Sequence, residues 1–214
     1  QLGGEAGEAA ERHHRPRRRR GRGVDGREVG SVAEMNPTLR NRLIVAGGAG
    51  ALAIAGVLQD WYEGRGPTIK QAGGTVLSVP YKDTGGVWTV CRGVTGPEVI
   101  PSRRYTEAEC GALERKHLAI AETAARRYIV GFDRLNMWQQ AALIDWFYNL
   151  GANDATLNST LRRKFNAGDI EGGCNELARW VNGRVNGQLV KLPGLIDRRG
   201  TEAELCLNWG RGNA

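Results

Sequence analysis

Sixteen consecutive uncharged residues, Leu43 to Leu58, constrain this chain more than any other feature. Such a run must be buried, in lipid or in a protein core. As one helix it would span about 24 Å at 1.5 Å per residue, short of the roughly 20 residues that a hydrocarbon core asks for. More than half of the run is Gly or Ala, which gain little from lipid, and each glycine also weakens a helix in water. Arg40 and Arg42 stand just before it. Positive charge there keeps the N-terminus cytoplasmic and sends the remainder outward. A marginal membrane anchor and a buried core helix both remain open, and the glycines favour the anchor. A cleaved signal peptide is a third reading: Ala53-Ile54-Ala55 has the A-x-A pattern, but the run continues apolar through Val57-Leu58.

The chain divides around that run. Residues 1–34 carry Arg17-Arg18-Arg19-Arg20, His13-His14, many glycines and almost no large apolar side chains. They cannot bury enough apolar surface to offset chain entropy and are expected to be disordered. Met35 is the expected start, because Met35 to Arg42 makes a sensible signal-anchor n-region, so the basic extension is expected not to be native. The net charge of +7 suits a polyanionic partner such as nucleic acid, anionic lipid or an acidic cell wall. The arginine run is read as a solvated tail, and no nucleic-acid partner is expected. Residues 35–60 are expected to form the anchor and 61–214 a folded domain.

The body reads as α+β, a small sheet followed by a mainly helical lobe. Gly73-Gly74 to Cys91 has the glycine turns and β-branched residues of short strands. Thr106 with Glu109 three residues on predicts a helix to about Tyr128, with Leu113, Ile120, Ala121 and Ala124 at helical spacing. Met137 to Leu150 predicts a second, buried helix ending at Gly151. Further helices are expected from Asn158-Ser159-Thr160 to about Phe165, from the Asp169 cap to about Val181, and from Pro193 to Leu207. Cys91, Cys110, Cys174 and Cys206 contain no CxxC pair, and there are only three histidines, so no metal site is expected. Three disulfide pairings are open; Cys174 with Cys206 is favoured, since both fall on C-terminal helices.

Chemistry concentrates at Glu63-Gly64 and at Tyr81-Lys82-Asp83-Thr84-Gly85-Gly86-Val87-Trp88-Thr89-Val90-Cys91-Arg92-Gly93. A proton donor, a carboxylate that activates water and a hydroxyl that steers it are what glycosidic hydrolysis needs. Taken singly, Asp83 reads as a turn residue beside glycines, Thr89 as a strand residue and Glu63-Gly64 as a helix end. Together the string resembles the catalytic segment of phage lysozymes of glycoside hydrolase family 24. Tyr105 to Cys110, Gln140 to Gly151, Ser159 to Arg163 and Gly194 to Glu204 resemble later parts of that family, so the likeness covers nearly all of Trp61 to Trp209.

The resemblance implies a lysozyme-like fold: a β-hairpin lobe, a helical lobe and the N-terminal apolar helix. It implies a muramidase cleaving the β-1,4 bond of peptidoglycan with inversion and no metal or organic cofactor. It assigns Glu63 as acid, Asp83 as the carboxylate that either activates water for direct attack or stabilises the oxocarbenium ion electrostatically, and Thr89 as the hydroxyl that holds the water. Partial burial is expected to keep Glu63 protonated near neutral pH. Asn149, Ser159 and Thr160 are candidate sugar ligands or helix caps. Arg198-Arg199 is read first as forming salt bridges across the lobe.

One departure stands out. Glu63 and Asp83 are separated by nineteen residues, Gly64 to Lys82, where the family usually has eight. Arg65 to Gly73 is therefore read as part of an insertion. The competing reading is a catalytically inactive, membrane-anchored murein-binding protein. The weak apolar run resembles the signal-arrest-release segments of certain phage endolysins, which implies an inner-membrane form later released to the periplasm. The protein is expected to be a monomer.

Overall fold

The computed structural model describes residues 35–210 except 84 and 186; the basic extension and the disorder expected of it lie outside these. The apolar run lies in two helices rather than one. α1 (Pro37–Gly47) is capped by Asn36, whose Oδ1 accepts from Thr38 N at 2.9 Å and Leu39 N at 3.4 Å. The chain then breaks at Gly48-Ala49-Gly50, with Gly50 at φ +93°, and α2 (Ala51–Tyr62) begins. No helix among the described residues is long and apolar enough to cross a membrane.

Both helices are part of the core. Leu39, Leu43, Ile54 and Leu58 are buried with Trp138, Ala141 and Leu205. Gly47 permits the approach: a Cβ there would sit 2.9 Å from Trp138 Cη2. The glycines that argue against a water-soluble helix are what let two short helices pack closely and turn between them.

Next comes a hairpin, β1 (Thr68–Lys70) with β2 (Val76–Ser78), so the inserted segment folds as an antiparallel pair with Ile69 opposite Leu77. A three-stranded antiparallel sheet follows, β3 (Tyr81–Lys82), β4 (Trp88–Val90) and β5 (Val94–Thr95), with Thr89 facing Tyr81 on one side and Thr95 on the other. Val90, Val94, Val99 and Tyr105 form its small core.

α3 (Glu107–Tyr128) starts with the expected capping box of Thr106 and Glu109. Its buried face is Cys110, Glu114, Leu118, Ala121 and Ala125. Ile120, expected inside, is 56% exposed. The reason is local: the Cys91–Cys110 disulfide and the Glu114–Arg92 ion pair turn the neighbouring face toward the sheet.

A 3-10 turn (Phe132–Arg134) leads to α4 (Met137–Leu150), the central helix, packed against α2 and α3. Then come α5 (Asp154–Leu157), α6 (Thr160–Asn166) and α7 (Ile170–Leu177). α7 stops short of the expected Val181, because the chain enters a further hairpin, β6 (Asn182–Val185) with β7 (Gln188–Lys191). α8 (Pro193–Asn208) closes the fold against α4 and α7, tied to α7 by the favoured Cys174–Cys206 disulfide.

Candidate active site

Glu63 is the residue on which α2 ends. Its N–H still donates to Gln59 O at 2.9 Å, and Gly64 then takes φ +62°. A left-handed residue at a helix end is a glycine position, so the Glu-Gly pair fixes where the helix releases the chain and leaves the glutamate at its rim.

The sheet lobe meets α2 through one turn, Cys91-Arg92-Gly93. Gln59, buried one turn before Glu63, donates through Nε2 to Arg92 O at 2.8 Å and to Tyr148 Oη at 2.8 Å, while Tyr148 Oη donates to Arg92 O at 3.0 Å. The Arg92 side chain pairs with Asp60 of α2 at 2.6 Å and with Glu107 and Glu114 of α3 at 3.2 and 3.0 Å. Cys91 is held at φ +57°, a conformation non-glycine residues rarely adopt, and is disulfide-bonded to Cys110. Gly93, at φ +74°, lies against the Glu63 carboxyl.

Glu63 Oε1 accepts from Arg198 Nη1 at 2.5 Å and, at a long 3.5 Å, from Asn149 Nδ2. Its side chain is 21% exposed. Arg198 is buried and forks onto Asp145 at 2.8 and 2.9 Å. Burial alone would raise the Asp145 carboxyl; Arg198 outweighs it and holds the group below its ordinary range. Arg199, fully buried, donates to Glu202 at 2.6 Å and to Asn149 Oδ1 at 2.5 Å. Burial pushes the Glu202 carboxyl well above the usual range, and neighbouring Asp145 pushes the same way. Tyr62 lies beside the cluster with its hydroxyl 2.6 Å from Thr201 Oγ1, and burial raises that phenol to about 12.

Asp83 sits at the turn between β3 and β4. Its Oδ1 accepts from Gly85 N at 2.8 Å and Val87 N at 2.9 Å, so it organises the turn, as an Asp beside glycines does. Thr89 is buried on β4 and donates to Val87 O at 3.1 Å. The Tyr81 phenol is raised by burial and then by the charges of Glu63 and Asp83. The strap after Glu63 crosses that ring, where a Cβ on Gly66 would lie 2.7 Å from Tyr81 Cε1.

The structure thus gathers Glu63 and Asn149 at one point and carries Asp83 and Thr89 on the adjoining hairpin. Ser159 and Thr160 are engaged elsewhere: Ser159 Oγ accepts from Arg162 N at 3.1 Å as the cap of α6, and Thr160 Oγ1 accepts from Arg163 at 2.8 Å. The sequence reading did not single out Asp145, Glu202, Gln59, Arg92 or Tyr148. Asp145 was findable, as the one acid inside the apolar helical run Ala141 to Phe147; a buried charge needs a partner.

The family model described as phage lysozyme matches residues 70–202, a span that includes Asp83 and Thr89 and begins after Glu63. The chain belongs to the phage lysozyme family. As a phage lysozyme it is a glycoside hydrolase. The SAR-endolysin of Enterobacteria phage P21 is 42% identical over 177 residues, covering 83% of this chain and 99% of the relative. The SAR-endolysin of Enterobacteria phage PA-2 is 41% identical over 178 residues, covering 83% and 99%. Among solved structures, the active form of P1 phage endolysin Lyz superposes with a TM-score of 0.57 at 24% identity, covering 78% of this lysozyme and 92% of that chain. The muramidase domain of SpmX from Asticaccaulis excentricus gives 0.55 at 24%, covering 72% and 94%. These two likenesses speak for the lysozyme fold.

Proposed function

We propose that this lysozyme is an endolysin of the signal-arrest-release type, cleaving the β-1,4 bond between N-acetylmuramic acid and N-acetylglucosamine of peptidoglycan for host lysis. The observation that carries the reading is the junction at Glu63: the end of α2 delivers a half-buried carboxyl to the Cys91–Gly93 turn, where Arg198 and Asn149 hold it. The long insertion does not detach the acid from the sheet lobe, because Gln59 and Asp60 bind Arg92 within one turn of Glu63.

In this reading Glu63 protonates the glycosidic oxygen. Asp83 takes a proton from a water held by Thr89, and that water attacks the anomeric carbon from the opposite face. Inversion of this kind needs roughly 6.5–9.5 Å between the carboxyl groups. No metal or organic cofactor takes part. Asn149 serves the site by orienting Glu63, and Ser159 and Thr160 act as helix caps rather than sugar ligands.

Residues 35–60 act first as a membrane anchor, with 61–214 as the catalytic domain on the periplasmic side. Burial in lipid and burial in this core exclude each other for Leu43, Ile54 and Leu58. While residues 43–58 lie in the inner membrane, α2 cannot set Glu63 against Gly93. A displacement of about 1 Å in a catalytic group costs on the order of a hundredfold, so the tethered form is inactive. Release to the periplasm restores the site in a monomer.

The test uses purified, membrane-free protein on murein sacculi with mass spectrometry of the products. Soluble muropeptides ending in a reducing N-acetylmuramic acid are expected. A folded protein that binds sacculi and releases no glycan would establish the inactive wall-binding alternative. For the anchor, tethered and released protein are compared on the same murein; equal rates would end the switch.

A further inference from the structure

Glu63 Oε1 accepts from two donors, and Oε2 accepts from none among the described residues. That asymmetry has chemical content. A protonated carboxyl has one carbonyl oxygen and one hydroxyl oxygen, and an oxygen facing N–H donors must present lone pairs. The Arg198 and Asn149 donors therefore make Oε1 the carbonyl. Asn149 has no freedom to reverse its amide. Arg199 carries only donors, so Asn149 Oδ1 faces Arg199 at 2.5 Å and Nδ2 is left facing Glu63.

The two donors are held differently: Asp145 accepts the fork of Arg198, and Glu202 acts on the other through Arg199. Arg199, which fixes the Asn149 amide, pairs with Glu202 Oε2 at 2.6 Å, and Arg198 Nε lies 3.6 Å from Glu202 Oε1. Glu202 is completely buried, one turn along α8 from both arginines. We propose that Glu202 is the positioning residue of the acid: through Arg199 it fixes the Asn149 donor on Glu63 Oε1, beside the Arg198 donor that Asp145 holds, and so confines the transferable proton to Oε2, against Gly93. The inference rests on Glu63 being the proton donor. In the step itself the Oε2–H bond breaks and an O–H bond forms on the glycosidic oxygen. The electron pair stays on Oε2, and Arg198 already faces the carboxylate produced.

Glu202 Oε1 is buried and accepts no hydrogen bond among the described residues. A neutral Glu202 whose Oε1–H donates to Asp145 accounts for this, in keeping with the upward displacement of its carboxyl beside Asp145. Gln in its place keeps one oxygen for Arg199 and one N–H for Asp145; Ala keeps neither.

The experiment compares Glu202→Ala, Glu202→Gln and Glu63→Gln, measuring kcat and KM on soluble glycan strands per mole of protein shown folded by its melting transition. Glu202→Ala is expected to lose about tenfold or more in kcat, as small displacements of catalytic groups do, with KM unchanged. Glu202→Gln is expected to restore kcat to near the wild-type value. Wild-type kcat in folded Glu202→Ala, or a Glu202→Gln as slow as the alanine variant, would overturn the proposal. If Glu202→Ala does not fold, Glu202→Asp decides, because its retracted carboxyl cannot reach Arg199 as Glu202 does: reduced kcat at unchanged KM supports the assignment and wild-type kcat overturns it. An active Glu63→Gln would sink the reading of the acid itself. An inactive Glu63→Gln beside a fully active Glu202→Ala would sink only the role of Glu202.

Discussion

Glu63 and Gly93 touch where helix meets sheet: a Cβ on Gly93 would lie 2.7 Å from Glu63 Oε2 and 2.9 Å from its carboxyl carbon. Residues thirty apart in sequence thus define the face of one carboxyl oxygen, and the contact leaves no room for any side chain at position 93.

Gly93→Ala is accordingly expected to harm the enzyme twice. The residue sits at φ +74°, where an added Cβ costs about 1–2 kcal/mol, and the methyl group displaces the acid. Thermal melts should show a modest loss of stability, and lytic rate per folded molecule should fall by about tenfold or more. Wild-type activity in the variant would mean that Oε2 does not work from this face.

The two disulfides should separate stability from activity. Losing either is expected to cost about 2–5 kcal/mol. Cys91–Cys110 also anchors the turn that carries Arg92 and Gly93, whereas Cys174–Cys206 joins α7 to α8. Cys91→Ser with Cys110→Ser should lower lytic activity at temperatures where the protein remains folded. Cys174→Ser with Cys206→Ser should lower the melting point with activity per folded molecule retained. Denaturant melts paired with turbidity assays read both.

The buried carboxyls predict opposite pH responses. Glu202 is displaced upward in the folded state from its ordinary value of 4.5. It keeps a proton that the unfolded chain releases, so the stability it contributes is complete below that value and is lost as pH rises through its folded value. Asp145 is displaced downward from 3.8, so its contribution is present above that value and is lost as pH falls through its lower folded value. Melting curves of wild type and Glu202→Gln across pH 4 to 8, on the order of the range where stability is usually maximal, test the first. The difference should move in favour of Glu202→Gln as pH rises. A constant difference would show that Glu202 is ionised in the fold.

The outcome bears on how much of this lysozyme could be read from its residues. α3 was legible from its Thr106–Glu109 capping box, and α4 from its apolar residues and its stop at Gly151, which takes φ +73°; the Asn136–Gln139 cap of α4 was not read. The pattern that singles out Glu63 and Asp83 carries no sign of what surrounds Glu63. Arg198, Asn149, Asp145 and Glu202 come from two helices whose register depends on packing rather than local spacing. The hairpin Asn182–Lys191 was missed despite Asn186-Gly187, a strong hairpin turn signal, because the Asp169 cap drew the helix on too far. The apolar run lies here as two helices, a break that propensity does not reveal because Gly47 serves close packing on Trp138 and Gly50 takes φ +93°.

That packing makes the run testable in membrane-free protein. Leu43 and Leu58 are fully buried in the helical lobe. Leu58→Ala should destabilise the membrane-free form by about 2–5 kcal/mol and loosen the delivery of Glu63, seen as a lower denaturation midpoint and slower lysis. An unchanged midpoint would mean that the run matters only as an anchor.

The most direct measurement is the rate of glycan cleavage by folded, membrane-free Glu63→Gln beside wild type. A positioned general acid contributes about 10²–10⁴-fold. The account predicts a loss in that range with murein binding and melting temperature retained; cleavage at the wild-type rate would contradict it.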